Sequence, residues 1–259
     1  MPLGIHYLSR RWQLGRWAQG HRWAGIVLVC LLVGCTAAPP IGEEEAATPA
    51  PVAEGTVTDV AAGLPRLNGM ATVELSVNGE TITLELDGEN APVTAGNFVD
   101  LVQRGVYDGT AFHRVVREPE PFVAQAGDPQ SKDPSFPPER LGTGGFIDPE
   151  TGQERSIPLE IRPESAEEPL YNQTFSTVGI NEPPALTHTR GAVAMARSQF
   201  PGSASSQFYI TLEDKAFLNG EYAVFGYVTD GMDAVDSIEQ GDTITSATVV
   251  AGGDNLVTD

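Results

Sequence analysis

The chain has 259 residues, with 35 acidic against 15 basic side chains and a formal net charge of −20. So acidic a surface repels nucleic-acid phosphates and anionic lipid headgroups, which excludes both as docking partners. Two cysteines and four histidines, spread along the chain without ligand spacing, leave no basis for a structural zinc site, and no metal or cofactor is expected.

Residues 1–35 read as a secretory signal. They carry Arg10, Arg11, Arg16 and Arg22 with no acid, then an apolar run from Ala24 to Val33. That run is shorter than the roughly 20 residues that cross a bilayer. Leu32-Val33-Gly34-Cys35 resembles the bacterial lipobox. Cleavage before Cys35 and lipidation of that cysteine are therefore expected, with a simple cleaved signal or an uncleaved anchor as alternatives. Cleavage would remove every tryptophan and Cys30, so no disulfide could form within the remaining chain. Residues 36–65 are rich in Ala, Pro, Glu and Thr and lack an apolar period; they read as a disordered tether. Residues 66–259 are the expected folded domain. The localisation that follows is export, with a lipid anchor to a membrane facing the periplasm, the thylakoid lumen or the cell exterior.

Folded character begins near Ala71. Thr72–Val77 and Thr81–Leu86 each alternate polar and apolar residues around Asn78-Gly79, which predicts a hairpin. Pro92 opens a predicted helix whose Phe98, Leu101 and Val102 share a face, and Gly105 ends it. Short strands are predicted around His113–Val116, Phe122–Gln125, Gly191–Ala196, Gln207–Thr211 and Val224–Val228. A second helix is predicted over Met232–Glu239. Arg162–Thr189 gives no periodic pattern. Many strands with a helix near each end point to a mainly β fold, a barrel with helical caps.

Four motifs in order go further. They are Tyr107-Asp108-Gly109-Thr110-Ala111-Phe112-His113-Arg114-Val115, then Phe122-Val123-Ala124-Gln125-Ala126-Gly127-Asp128. Next come Met195-Ala196-Arg197-Ser198 with Ser205-Ser206-Gln207-Phe208-Tyr209-Ile210, and finally Phe217-Leu218-Asn219-Gly220-Glu221-Tyr222-Ala223-Val224-Phe225-Gly226. Over Thr72 to about Val250 the chain resembles the cyclophilins. The resemblance implies a closed antiparallel β-barrel capped by two α-helices, and peptidyl-prolyl cis-trans isomerase activity on proline-containing polypeptides that assists the folding of exported or membrane-tethered proteins. A cyclophilin-shaped module that grips proline segments without turnover is the alternative.

By the same resemblance Arg114 and Gln125 are the catalytic pair. Phe122, Val123, Ala196, Arg197, Gln207, Tyr209, Phe217, Leu218 and Tyr222 are the substrate-binding set. Phe98, Phe208 and Phe225 are assigned to the core. His113 is a structural histidine rather than a general base, because the reaction abstracts no proton. Arg197 stands where most members have Asn, and Phe217 where many have Trp; the lost indole N–H implies weak cyclosporin binding. A monomer attached to the membrane only through its lipid is expected.

Overall fold

A computed structural model describes residues 60–258. The signal segment, Cys35 and most of the tether lie outside the described residues. Packing begins upstream of the Arg66 boundary, since Ala61 and Pro65 are already buried.

The alternating segments pair as strands. β1 (Arg66–Leu67) is followed by β2 (Met70–Val77) and β3 (Glu80–Asp87). Asn78 and Gly79 take φ of 54° and 82°, the two positive values that a tight hairpin of right-handed twist needs. After α1 (Pro92–Gln103) come β4 (Arg114–Val116), β5 (Val123–Ala126), β6 (Glu160–Ile161) and β7 (Leu170–Tyr171). The four-residue α2 (Phe175–Val178), β8 (Ala192–Met195), β9 (Phe208–Thr211) and β10 (Val224–Asp230) follow. α3 (Met232–Ser237), β11 (Ile244–Ala251) and β12 (Leu256–Val257) complete the described chain.

Eight of these strands form one curled antiparallel sheet in the order β11-β2-β3-β10-β8-β9-β5-β4. Backbone bonds join its two edges at one end: Phe112 N–H donates to Asp242 O at 2.8 Å, and Ile244 N–H to Thr110 O at 2.9 Å. The interior takes the inward residues of each strand together with α1. There Phe98 lies 4.7 Å from Tyr107 and 5.1 Å from both Phe208 and Phe225, centroid to centroid. The three phenylalanines assigned to the core are all in it. α1 presses against β1 so closely that a Cβ on Gly96 would lie 2.5 Å from the Arg66 Cα, which is why that position carries none.

α1 starts at Pro92 with Ala91 before it, a residue that cannot cap. The cap comes from elsewhere. Glu160, fully buried on β6, accepts from the backbone N–H groups of Val93 (3.1 Å) and Thr94 (2.7 Å), the Thr94 hydroxyl (2.7 Å) and the Tyr171 hydroxyl (2.8 Å). Burial pushes the Glu160 carboxyl up, and these donors pull it back.

Arg162–Thr189, aperiodic in sequence, is nevertheless ordered. β7 pairs with β6, Pro163 bridges Pro184, and Thr174 caps α2 with its hydroxyl. Leu159, Ile161, Phe175 and Ala223 form a small apolar cluster of their own beneath it. α3 is shorter than the predicted Met232–Glu239, because Ile238 turns to extended backbone.

Candidate active site

The period of two along a strand gives the barrel wall two faces. On β5, Ala124 and Ala126 join the interior while Val123 and Gln125 point outward; on β9, Phe208 and Ile210 point in and Tyr209 points out. Register then lines the outward residues up across the sheet. Arg114 faces Gln125, Gln125 faces Tyr209, Tyr209 faces Ala194 and Ala194 faces Val224. The residues gathered there form a second apolar cluster, separate from the interior: Val123, Ala192, Ala194, Tyr209, Leu218 and Val224, with Phe122 and Tyr222 against it.

Phe122 lies flat on Phe217, with centroids 5.9 Å apart and planes at 18°. Phe217 is 69% exposed, so it forms the rim of the depression rather than an enclosed wall. The guanidinium of exposed Arg114 stands 5.5 Å from the Phe122 ring centre and donates to Gln125 Oε1 at 3.3 Å. Gln125 Nε2 donates to Gln207 Oε1 at 3.1 Å, and Gln207 Nε2 to the Gly144 carbonyl at 2.7 Å. A guanidinium can only donate and a carbonyl can only accept, so the orientation of both amides between them is fixed.

Beside the apolar depression runs a groove of about 340 Å³, lined by Gln125, Gln207, Ala196, Arg197 and the Gly142–Gly144 loop among others. Buried Asp128 holds that loop by accepting from Gly142 N–H at 2.6 Å and Gly144 N–H at 3.3 Å. Arg197 does not project a free cation into the groove. Its guanidinium donates to Glu221 O at 2.7 Å and Ser198 O at 2.8 Å, and stacks 4.6 Å over Tyr222. It ties together the two loops flanking the groove.

The eleven barrel residues picked out in the sequence therefore come together on one outer face. His113 lies behind them with both ring nitrogens buried and without hydrogen-bond partners; burial lowers its pKa, against the pull of Asp128. Sequence reasoning missed His188 and Asn219. His188 is buried, with Nδ1 3.0 Å from Asn219 Oδ1 and Nε2 3.0 Å from the Tyr209 hydroxyl. One signal was available: a tyrosine on an apolar outer face needs a partner for its hydroxyl. Among the described residues, no group of three or more His, Cys, Asp or Glu is placed to hold a metal ion, and no helix is long and apolar enough to cross a membrane.

The family model for cyclophilin-type peptidyl-prolyl cis-trans isomerases matches residues 72–253. A Synechocystis protein named as a thylakoid lumen peptidyl-prolyl cis-trans isomerase is 43% identical over 206 residues, covering 76% of this chain and 51% of its own length. A chloroplastic peptidyl-prolyl cis-trans isomerase of Arabidopsis thaliana is 39% identical over 211 residues, with 74% of this chain and 45% of the relative covered. This chain thus spans about half the length of those two relatives. A Brucella suis protein, named as a peptidyl-prolyl cis-trans isomerase, is 39% identical over 172 residues, 66% of this chain and 72% of the relative. With the match running from β2 to the end of β11 and enclosing every residue of the outer-face site, the chain belongs to the cyclophilin-type peptidyl-prolyl cis-trans isomerase family.

Proposed function

We propose that this chain catalyses cis/trans isomerisation of X–Pro peptide bonds, with Arg114 as the catalytic cation and Gln125 as its partner. The observation that carries this reading is the Arg114 guanidinium, held by Gln125 at the edge of an apolar depression on the barrel's outer face. Amide resonance sets a rotation barrier of about 18–20 kcal/mol. In the twisted state that resonance is lost and the prolyl nitrogen regains a lone pair. A donor aimed at the nitrogen favours that state over both planar isomers. The proline ring needs only apolar contact, which Phe122, Val123, Tyr209 and Leu218 supply, while Ala196, Arg197, Gln207 and Tyr222 shape the strip along which the peptide lies. A protease-coupled or NMR exchange assay on residues 60–259 with an Ala-Pro peptide tests the reading. Accelerated exchange is the expected result; binding without acceleration would leave a proline-segment binding module instead.

Phe217 offers cyclosporin an aromatic rim without an N–H donor, which supports weak binding. Phe217→Trp adds one donor worth about 1 kcal/mol, so affinity should rise roughly fivefold by titration, with little change in peptide turnover.

The physiological reading is assistance to the folding of exported proteins by a lipid-anchored monomer. The Arg-rich start, the apolar run and Leu32-Val33-Gly34-Cys35 support it, as do the lumenal and chloroplastic names of two relatives. Cys35→Ser should move the protein from the membrane to the soluble fraction. An intact mass of the wild-type protein without acyl chains would overturn the anchor.

A further inference from the structure

The floor and the rim of the apolar depression belong to different parts of the chain. Tyr209 sits on β9, while Phe217 and Leu218 sit on the 3-10 turn Ala216–Leu218 that precedes β10. His188 touches both. The His188 carbonyl accepts from Lys215 N–H at 2.7 Å, and its own N–H donates to Asn219 Oδ1 at 2.8 Å, so its backbone grips the turn on either side of Phe217 and Leu218. Its ring lies near-parallel to the Tyr209 ring, with planes at 16°.

The protonation pattern follows from one unambiguous donor. A backbone N–H can only donate, so the Asn219 atom facing it is the carbonyl oxygen. The same oxygen lies 3.0 Å from His188 Nδ1, which must then carry a proton. Burial lowers the His188 pKa to about 4, with Asn219 opposing, so the ring is neutral at ordinary pH. Nε2 is therefore bare and accepts the proton of the Tyr209 hydroxyl 3.0 Å away. Burial also raises the Tyr209 pKa, so that hydroxyl stays a donor.

We propose that His188 is a positioning residue for proline recognition, coupling the Tyr209 floor to the Phe217–Leu218 turn through this directed chain of hydrogen bonds. The proposal rests on the isomerase reading for the identity of the ligand. It does not require His188 to touch the substrate, and buried as it is, it acts through Tyr209 and Asn219.

Nitrogen-15 NMR of the imidazole and titration with an end-blocked Ala-Ala-Pro-Phe peptide test it together. The wild-type ring should be the Nδ1–H tautomer, and Tyr209→Phe should keep that tautomer while shifting the Nε2 resonance. Losing one hydrogen bond corresponds to roughly a fivefold rise in Kd, expected for Tyr209→Phe and at least matched by His188→Phe. Because both act through one link, the double variant should bind no worse than His188→Phe alone. His188→Asn, which can remake the Asn219 bond but cannot reach Tyr209, should behave as Tyr209→Phe does. An Nε2–H tautomer in the wild type overturns the proposal whether or not any variant folds. So does a folded His188→Phe chain of unchanged Kd, the outcome of a purely structural role, and so do additive effects. A wild-type chain that binds the peptide without accelerating exchange sinks only the isomerase reading, since Kd then still decides the role of His188. A chain that does not bind the peptide sinks both.

Discussion

Replacing Arg114 with Ala should lower isomerase activity by about a hundredfold or more while leaving the fold intact. A hundredfold corresponds to about 2.7 kcal/mol of lost transition-state stabilisation, the range measured when one preorganised donor is removed from a catalytic site. The loss should fall on turnover more than on peptide binding, because the cation meets its target only when the prolyl nitrogen becomes basic. Folding should survive because Arg114 is exposed at the sheet edge, where its guanidinium bonds Gln125 and stands over the Phe122 ring without entering the core. Arg114→Lys keeps the charge but not the planar fork that engages Gln125 while facing the substrate, so it should recover only part of the rate. Exchange kinetics with circular dichroism as a folding control decide the matter. Turnover at the wild-type rate in a folded Arg114→Ala chain would remove Arg114 from the mechanism.

The largest effect on stability should come from Glu160→Ala. The carboxylate takes four donors at the start of α1 and beside Tyr171, and Glu160 itself is buried. Truncation strands the buried Val93 and Thr94 donors and removes the negative charge from the positive end of the helix. The expected cost is about 3–5 kcal/mol, a large share of the roughly 5–15 kcal/mol that holds a domain folded. Glu160→Gln should cost less. Its oxygen can still serve Thr94, and the Tyr171 hydroxyl can turn to accept from the new amide, leaving the Val93 N–H opposed. Urea unfolding of the three chains gives the answer as shifts in midpoint at constant slope. A shift below about 1 kcal/mol for Glu160→Ala would mean that the helix finds another cap.

Local pattern determined a good deal about this protein. Alternation and Asn78-Gly79 set the first hairpin in its observed register. These readings succeed because a strand's two faces and a tight turn's positive φ are properties of a few adjacent residues. Tertiary structure alone decided the rest. Ala91-Pro92 promised a helix without showing what would cap it, and the cap proved to lie 67 residues away on a two-residue strand too short to carry a period. Val123 and Tyr209 could equally have been interior residues by pattern. Only the packing of the interior against the other face of β5 and β9 put them outside, as a separate cluster, while Ala124 and Phe208 filled the barrel. His188 belongs to none of the four motifs, and only the fold brought Asn219 and Tyr209 to its two nitrogens from 31 and 21 positions away. Most buried donors and acceptors are paired, but the chain specifies the partner only through the packing that brings distant segments together.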